Sequence, residues 1–555
     1  MLRMRTVLFA CVLVLSGCAV APSIGIESPN TKIPDDAGLV AVQVVNNSEQ
    51  LHDFLSNWTA IFLIEEKSGA QALYLEALDS ADLGTDVFVG ALAPGRYRLM
   101  LLQAYRQLGD HSYRLRARVP AFIGHFEVAS GRLTNLGTLI AQPLEEVQTD
   151  AGVQRGFALT RSDKPAHMQA FIRERLPDRV GLLKSNDELG WLPDSLGPLR
   201  QALLKLMVEK GLPRGAVQVG NPGELLAYGR LGQVYQRDAD GQWAQSALAG
   251  EQEIYSAVRM ADGHVALGGE RGTFYIAQPP YRDFQPRPLP ATLGPVYALQ
   301  EAEPGTLVAV VLNRDHLNIL ASTDLGESWL PQARIVRDKP GFFYERISLP
   351  AVARLTDGTL LVQMDGAIHT RKPGSPDWQR SKGRDFTRFV AQRNGIWVGV
   401  PFDWIHGEGA PLFSVDEGQS WVKTGMRPKI LSLTRGTPYI FSDRSILQPG
   451  APQKFSMSAF SWKKQENIPL DLSTDNGQSF QPHGSVPQGC DRLRGEISQD
   501  DLLFLLCQDG RMQSSADGGR QFTLEFDPTL TSADIDTLID SFAPATDPAA
   551  AAAAQ

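Results

Sequence analysis

Cysteine is scarce in this chain, with four in 555 residues, so a scaffold held together by many disulfides is excluded. Long hydrophobic runs are missing as well. The most apolar stretch, TVLFACVLVL from Thr6 to Leu15, has ten residues, well short of the roughly 20 that a membrane-spanning helix needs. Nine histidines are scattered without His-x-His or His-Glu-x-x-His spacing, which leaves no metal centre legible and no cofactor expected. There is no Gly-x-Ser-x-Gly elbow and no phosphate loop. Positive charge is not in excess: 53 Lys and Arg stand against 62 Asp and Glu, a formal charge of −9, and such a surface binds nucleic acid poorly. Turn-forming residues are plentiful, 51 Gly and 36 Pro, in a chain of otherwise ordinary apolar and charged content. That balance predicts a β-rich architecture, and the length predicts two or three domains.

The short apolar run is preceded by the basic start MLRMR and ends at Leu15-Ser16-Gly17-Cys18. It resembles a bacterial lipoprotein signal, in which those four residues are the lipobox. The resemblance implies a signal peptide with lipobox over 1–18, cleavage before Cys18, and acylation of the Cys18 thiol and new amino terminus. Several chains are needed because one alone anchors only marginally. Ala rather than Asp at position 19 implies the outer membrane if the source is Gram-negative. An ordinary secretory signal with a chance cysteine is the alternative. Loss of Arg3 and Arg5 takes the formal charge to about −11. Cys11 leaves with the signal, so Cys490 and Cys507 have only each other. The stretch CDRLRGEISQDDLLFLLC reads as a hairpin turning near Ser498 and Gln499, which sets the two cysteines opposite for a disulfide in an exported compartment. Free thiols, or a metal site with further ligands elsewhere, are the alternatives.

Residues 19–37 lack periodicity and read as a tether. From 38 to 146 short alternating segments such as LVAVQVV, TAIFLIEE and YRLMLLQAY predict strands. Here VGALAPGRYRLMLL resembles the Pro-Gly-x-Tyr hairpin of transthyretin-like and carboxypeptidase-regulatory-like sandwiches, with Pro94-Gly95 turning and Tyr97 in the core. A helical connector is expected over 147–212, helical from about 163. Its best segment is GPLRQALLKLMVEKG, with Pro198 in the first turn, a stripe of Leu199, Leu203, Leu206 and Met207, and Gly211 at the end.

Beyond 213 one pattern recurs: STDLGESW (Ser322–Trp329), SVDEGQSW (Ser414–Trp421), STDNGQSF (Ser473–Phe480) and SADGGRQF (Ser515–Phe522). Degenerate versions end at Trp243, Phe284 and Trp378, so the closing aromatics follow one another at steps of 41 to 59 residues. Four strands per unit at that spacing is the signature of propeller blades. The longest step holds QPGAPQKFSMSAFSWKKQENIP, an insertion in the sixth unit. The count of units is seven, with six and eight as the neighbouring readings. The pattern resembles the Asp-box, or BNR, repeat of sialidases, sortilin-type receptors and photosystem II assembly and stability factors. The resemblance implies a seven-bladed propeller over 213–530, with boxes closing the hairpin between third and fourth strands at the rim. Their structural residues are then Ser322, Asp324, Gly326, Trp329, Ser414, Asp416, Gly418, Trp421, Ser473, Asp475, Gly477, Phe480, Ser515, Asp517, Gly519 and Phe522. GAVQVGN at 215–221 is expected as the innermost strand of the first blade. If it is an outer strand, SADIDTLIDSF at 532–542 supplies the missing one. The rest of the 531–555 tail is Ala-rich and reads as disordered.

The fold class is therefore all-β: a small β-sandwich, a short helical connector and a seven-bladed propeller. Catalytic residues are not found. Sialidases carry an Arg-Ile-Pro motif before the first box, whereas YERISLPAV separates Arg346-Ile347 from Pro350 and follows an intact box. SWKK (Ser461 to Lys464) matches Ser-x-x-Lys without its partner motifs. Arg259, Glu301 and Arg354 align at one position of the innermost strands, either as funnel-lining residues for a polar ligand or as solvated strand ends. The expected function is a membrane-anchored binding or assembly scaffold of the bacterial envelope that docks a protein, peptide or glycan. A glycoside hydrolase with channel carboxylates is the alternative.

Overall fold

The structure is a computed structural model that describes residues 36–542 apart from short gaps and the longer intervals 48–57, 78–84, 165–188, 338–349, 383–387, 401–411 and 424–437. The signal with Cys18, most of the tether, Arg346-Ile347 and the Ala-rich end lie outside the described residues.

The N-terminal domain contains β1 (Gly38–Asn46), β2 (Ala60–Glu65), β3 (Ala72–Ala77), β4 (Thr85–Leu92), β5 (Gly95–Leu108), β6 (His111–Arg118), β7 (His125–Val128) and β8 (Leu133–Pro143). A hairpin, β9 (Val147–Thr149) and β10 (Gly152–Gln154), and then β11 (Phe157–Arg161) follow. The sheet is one hydrogen-bonded path, β11-β8-β1-β4-β3-β2-β5-β6, with β7 also on β5. Among the described residues it wraps a core of Val40, Val42, Ile61, Leu63, Phe88, Leu102, Phe126 and Leu139, to which the strands at its two ends add Leu159 and Leu115. Tyr97 lies in this core, 1 % exposed, with its hydroxyl donating to Ala93 O at 2.9 Å across the Pro94-Gly95 turn.

Three expectations need correction. The connector is helical, among the described residues, only over α1 (Gly197–Glu209), because Phe157–Arg161 alternates as a strand and pairs with β8 as an added edge. The domain therefore extends past 146. The tail segment is no strand: Ser532–Ser541 is the helix α2, started by a capping box in which Thr531 and Asp534 satisfy each other's amides. Finally, Leu206 is only partly buried, while Arg200, on the same helix, is buried with Leu199, Leu203 and Met207.

Beyond α1 the described residues form seven four-stranded antiparallel sheets: β12–β15 (213–247), β16–β19 (254–287), β20–β23 (296–336), β24–β27 (351–382), β28–β31 (388–423), β32, β33, β36 and β37 (439–487), and β38–β41 (490–526). Each is a simple meander, and the sixth carries the inserted hairpin, β34 (Gln453–Ser456) with β35 (Ser461–Lys464), between its second and third strands. Second strands such as VALGG, LLVQM and LFLLC are buried throughout, because neighbouring sheets cover both faces. Fourth strands such as WAQSA and QRSK are largely exposed, as edges should be. Seven apolar cores lie between successive sheets, the last joining Leu502, Phe504 and Met512 of the seventh sheet to Leu212 and Leu225 of the first. The stack thus returns on itself as a β-propeller, with β12 (Pro213–Gln218) as the inner strand of the first sheet.

Candidate functional site

Six of the seven closing aromatics sit between the third and fourth strands of their sheets, and Trp243 is the first residue of its fourth strand. In the intact boxes the serine hydroxyl donates to the aspartate two residues on, at 2.7 Å for Ser322, Ser414 and Ser515 and 2.8 Å for Ser473. The same oxygen accepts the amide of Gly326, Gly418, Gly477 or Gly519 at 2.8 to 2.9 Å. The aspartate Oδ1 accepts the amide four residues on, at 2.8 to 3.0 Å. In three boxes the hydroxyl of Ser328, Ser420 or Ser479 then closes on Oδ2 at 2.5 Å. The fourth box has Gln521 there, and its Asp517 Oδ1 accepts the Arg520 amide as well, at 2.9 Å. These donors hold the carboxyls of Asp324, Asp416 and Asp475 down to about 2, first through the serine hydroxyl. Asp517 is also lowered, there first through the Gln521 amide.

The box glycines adopt φ of +83°, +85°, +83° and +92°, which disfavours any other residue. They also allow the turn to lie on an apolar wall: a Cβ at Gly326 would overlap the Phe274 ring, and one at Gly477 would stand 2.9 Å from Phe413. Trp329 meets Phe274 edge-on at 5.2 Å between ring centres, so each turn is bolted to a neighbour's core. With both carboxylate oxygens of Asp324, Asp416 and Asp475 engaged inside the turn, these acids serve structure.

In a four-stranded meander the first and third turns share one end. The boxes therefore lie at the same end as Arg259, Glu301 and Arg354, which stand opposite Val265, Leu307 and Leu360 near the first turns. Arg259 and Arg354 are exposed. Glu301 differs, since its carboxylate accepts the amides of Ala261 in the preceding sheet and Gly305 in its own turn, both at 2.8 Å. It is a latch between sheets and not a freely presented acid.

The N-terminal domain occupies the opposite end. Leu231, in the second turn of the first sheet, shares a core with Val45, Ile140, Leu203, Met207 and Leu530. Asn47 donates to Met207 O at 2.7 Å, the Glu145 amide donates to Leu530 O at 2.8 Å, and Lys164 pairs with Glu251 at 3.6 Å. Glu270, fully buried in the second turn of the second sheet, has its carboxyl pushed up by burial, with Arg271 and the Thr85 hydroxyl of β4 working against that.

Sequence reasoning missed how the ring is sealed. The polar turn between β38 (Cys490–Leu493) and β39 (Leu503–Cys507) leans onto β12: Glu496 O accepts the Ala216 amide at 3.0 Å, and Arg494 donates to Arg214 O at 3.0 Å. Gln499 accepts the Gly223 amide at 3.2 Å. A turn too long and too polar for a plain hairpin was the available signal. Cys490 and Cys507 pair in register at its base, and their sulfurs are bonded. Among the described residues no three His, Cys, Asp or Glu groups are placed to hold a metal ion.

No family model matches the chain, and no curated protein does. Solved structures resemble about half of it. YCF48 bound to D1 peptide is 14 % identical and covers 55 % of this chain and 94 % of its own, with a TM-score of 0.38. Virginiamycin B lyase from Staphylococcus aureus is 12 % identical, covering 54 % and 93 %, with a TM-score of 0.37. The WD40 β-propeller domain of Doa1 is 11 % identical, covering 55 % and 90 %, with a TM-score of 0.33. These likenesses concern the fold, and function has to be argued from this chain's own residues.

Proposed function

We propose that this chain is a lipid-anchored, non-catalytic scaffold of the bacterial envelope whose seven-bladed Asp-box propeller docks a protein or peptide partner. The observation that carries this reading is the division of the propeller's two ends. The N-terminal domain, α1 and α2 pack at one end. The other end presents short, well-pinned turns with Arg259 and Arg354 exposed beside them. A rigid surface of turns held by internal hydrogen bonds suits docking, because little ordering entropy is lost on binding. Anchoring at Cys18 rests on the lipobox, and an outer-membrane site rests on Ala19.

Pulldown from detergent-solubilised envelope with the lipidated chain as bait tests the reading. A partner captured by the natural chain and lost from an Arg259→Glu/Arg354→Glu double variant supports it. Capture that is indifferent to that reversal moves the docking surface elsewhere, and hydrolysis of a glycan panel without any partner overturns the scaffold.

A further inference from the structure

The N-terminal domain buries two guanidiniums around one carboxylate. Arg161, at the end of β11, and Arg200, in the first turn of α1, are each 4 % exposed. Arg200 grips Asp194 with two bonds, at 2.8 and 3.1 Å, and donates to Phe122 O at 2.8 Å. Arg161 has no such grip. Its nearest carboxylate oxygen is Asp194 Oδ2 at 3.9 Å, beyond hydrogen-bonding distance, and its Nε and Nη1 are buried without a partner. Arg200 Nε is likewise unpartnered. The Arg161 guanidinium lies on the Trp191 ring at 4.3 Å, which fixes its plane but satisfies none of its N–H groups. Buried guanidinium N–H groups without acceptors are costly for a fold to carry, so their retention calls for a hydrogen-bonding partner.

Two further features converge here. At the start of α1 the Leu196 amide donates to Asp194 Oδ1 at 2.8 Å, which brings the positive end of the helix to the same cluster. Gly124, at φ +105°, leaves room over it: a Cβ there would stand 3.1 Å from Asp194 Oδ2 and 3.8 Å from Arg161 Nη2. Asp194 is 25 % exposed, which gives the cluster an opening to solvent.

We propose that this cluster is a binding site for one carboxylate group, held by Arg161 and flanked by Arg200 and the first turn of α1. Asp163 and Asp194 both act on Arg161 as opposite charges, so what the cluster lacks is acceptors for the Arg161 N–H groups, and the oxygens of a carboxylate match guanidinium donors. The carboxylate comes either from a small free acid or from the C-terminus of a peptide.

Calorimetry on the full chain in detergent, at fixed ionic strength, tests this with acetate, a short peptide with a free C-terminus, and the same peptide amidated. One site per chain is expected, with Arg161→Met, which keeps the contact with Trp191, binding about tenfold or more weakly, as loss of a charge-assisted hydrogen bond implies. Arg161→Lys is expected to retain part of the affinity, and it decides the matter if the Met variant fails to fold. Acetate binding identifies a small acid as a sufficient ligand. Binding of the free-terminus peptide alone identifies a peptide end. The absence of any carboxylate binding to the natural chain, or binding unchanged in Arg161→Met, overturns the proposal.

Discussion

The repeated sheets and the N-terminal domain solve the same problem, burying polar backbone and side chains, in opposite ways. In the sheets strands bond to their neighbours in sequence, save where β33 reaches β36 past the inserted hairpin, and the polar side chains of the intact boxes bond within an eight-residue turn. In the N-terminal domain β1 lies parallel to β8, with Leu39 beside Leu133, and Asn47 reaches Met207 for its hydrogen bond. The sheets are stabilised by contacts that can be duplicated, whereas the domain depends on contacts that occur once. Damage to a box should therefore stay in one sheet, while damage at the shared core should spread to both regions.

The sharpest break of that comparison is Gly326→Val. It combines a strained φ with overlap on Phe274, and the two penalties together should cost about 4 kcal/mol in denaturant unfolding of the propeller. The same change at Gly263, at φ +90° with open space around its Cβ, should cost about 1 to 2 kcal/mol, the backbone term alone. Equal losses at the two sites would show that the wall behind the box contributes nothing. Next comes Leu203→Ala in α1, fully buried where the two regions meet, with an expected loss of about 3 to 4 kcal/mol. Hydrogen exchange should report it in β8 and in the first sheet together, and protection lost from only one would separate the regions energetically. Removing the Cys490–Cys507 bond, which spans 17 residues, should cost about 3 kcal/mol and loosen the seventh sheet first.

The same contrast explains what could be read from the sequence. Ser-x-Asp-x-Gly-x-x-aromatic is a local statement: hydroxyl, carboxylate, left-handed glycine and ring act within eight residues, so the pattern places a turn without knowledge of the rest. Leu199, Leu203 and Met207 announce α1 in the same way, through a 3.6-residue period. Thr531 and Asp534 also spell a helix start, but the short apolar pattern after them fits a strand equally well, and the cap decided it. By contrast, β11 becomes a strand of the first domain only because β8 offers an edge, and Glu301 becomes a latch only because Ala261 of another sheet turns its amide towards it. Arg161 and Arg200 are buried by elements that converge from four places in the chain, and no spacing rule brings those together.

The smallest effect is the most discriminating. The box carboxyls of Asp324, Asp416 and Asp475 lie near 2, below the ordinary aspartate range, so their contribution to stability is complete above pH of about 4 and is lost as pH falls towards about 2. Asp517 lacks a serine hydroxyl on its second oxygen and should protonate first of the four, as followed by carboxyl NMR shifts. A Ser328→Ala/Ser420→Ala/Ser479→Ala variant should move the other three up to meet it. In the N-terminal domain Asp194 is lowered too, but there burial pushes it up, and the hydrogen bonds of Arg200 and the Leu196 amide, with the charges of Arg200 and Arg161, outweigh that. Its titration should therefore shift with added salt, while the box titrations, governed by neutral donors, should hardly move. If Asp517 titrates together with its three counterparts in the natural chain, the serine hydroxyl is not what holds the boxes low, and the turn amides alone account for them.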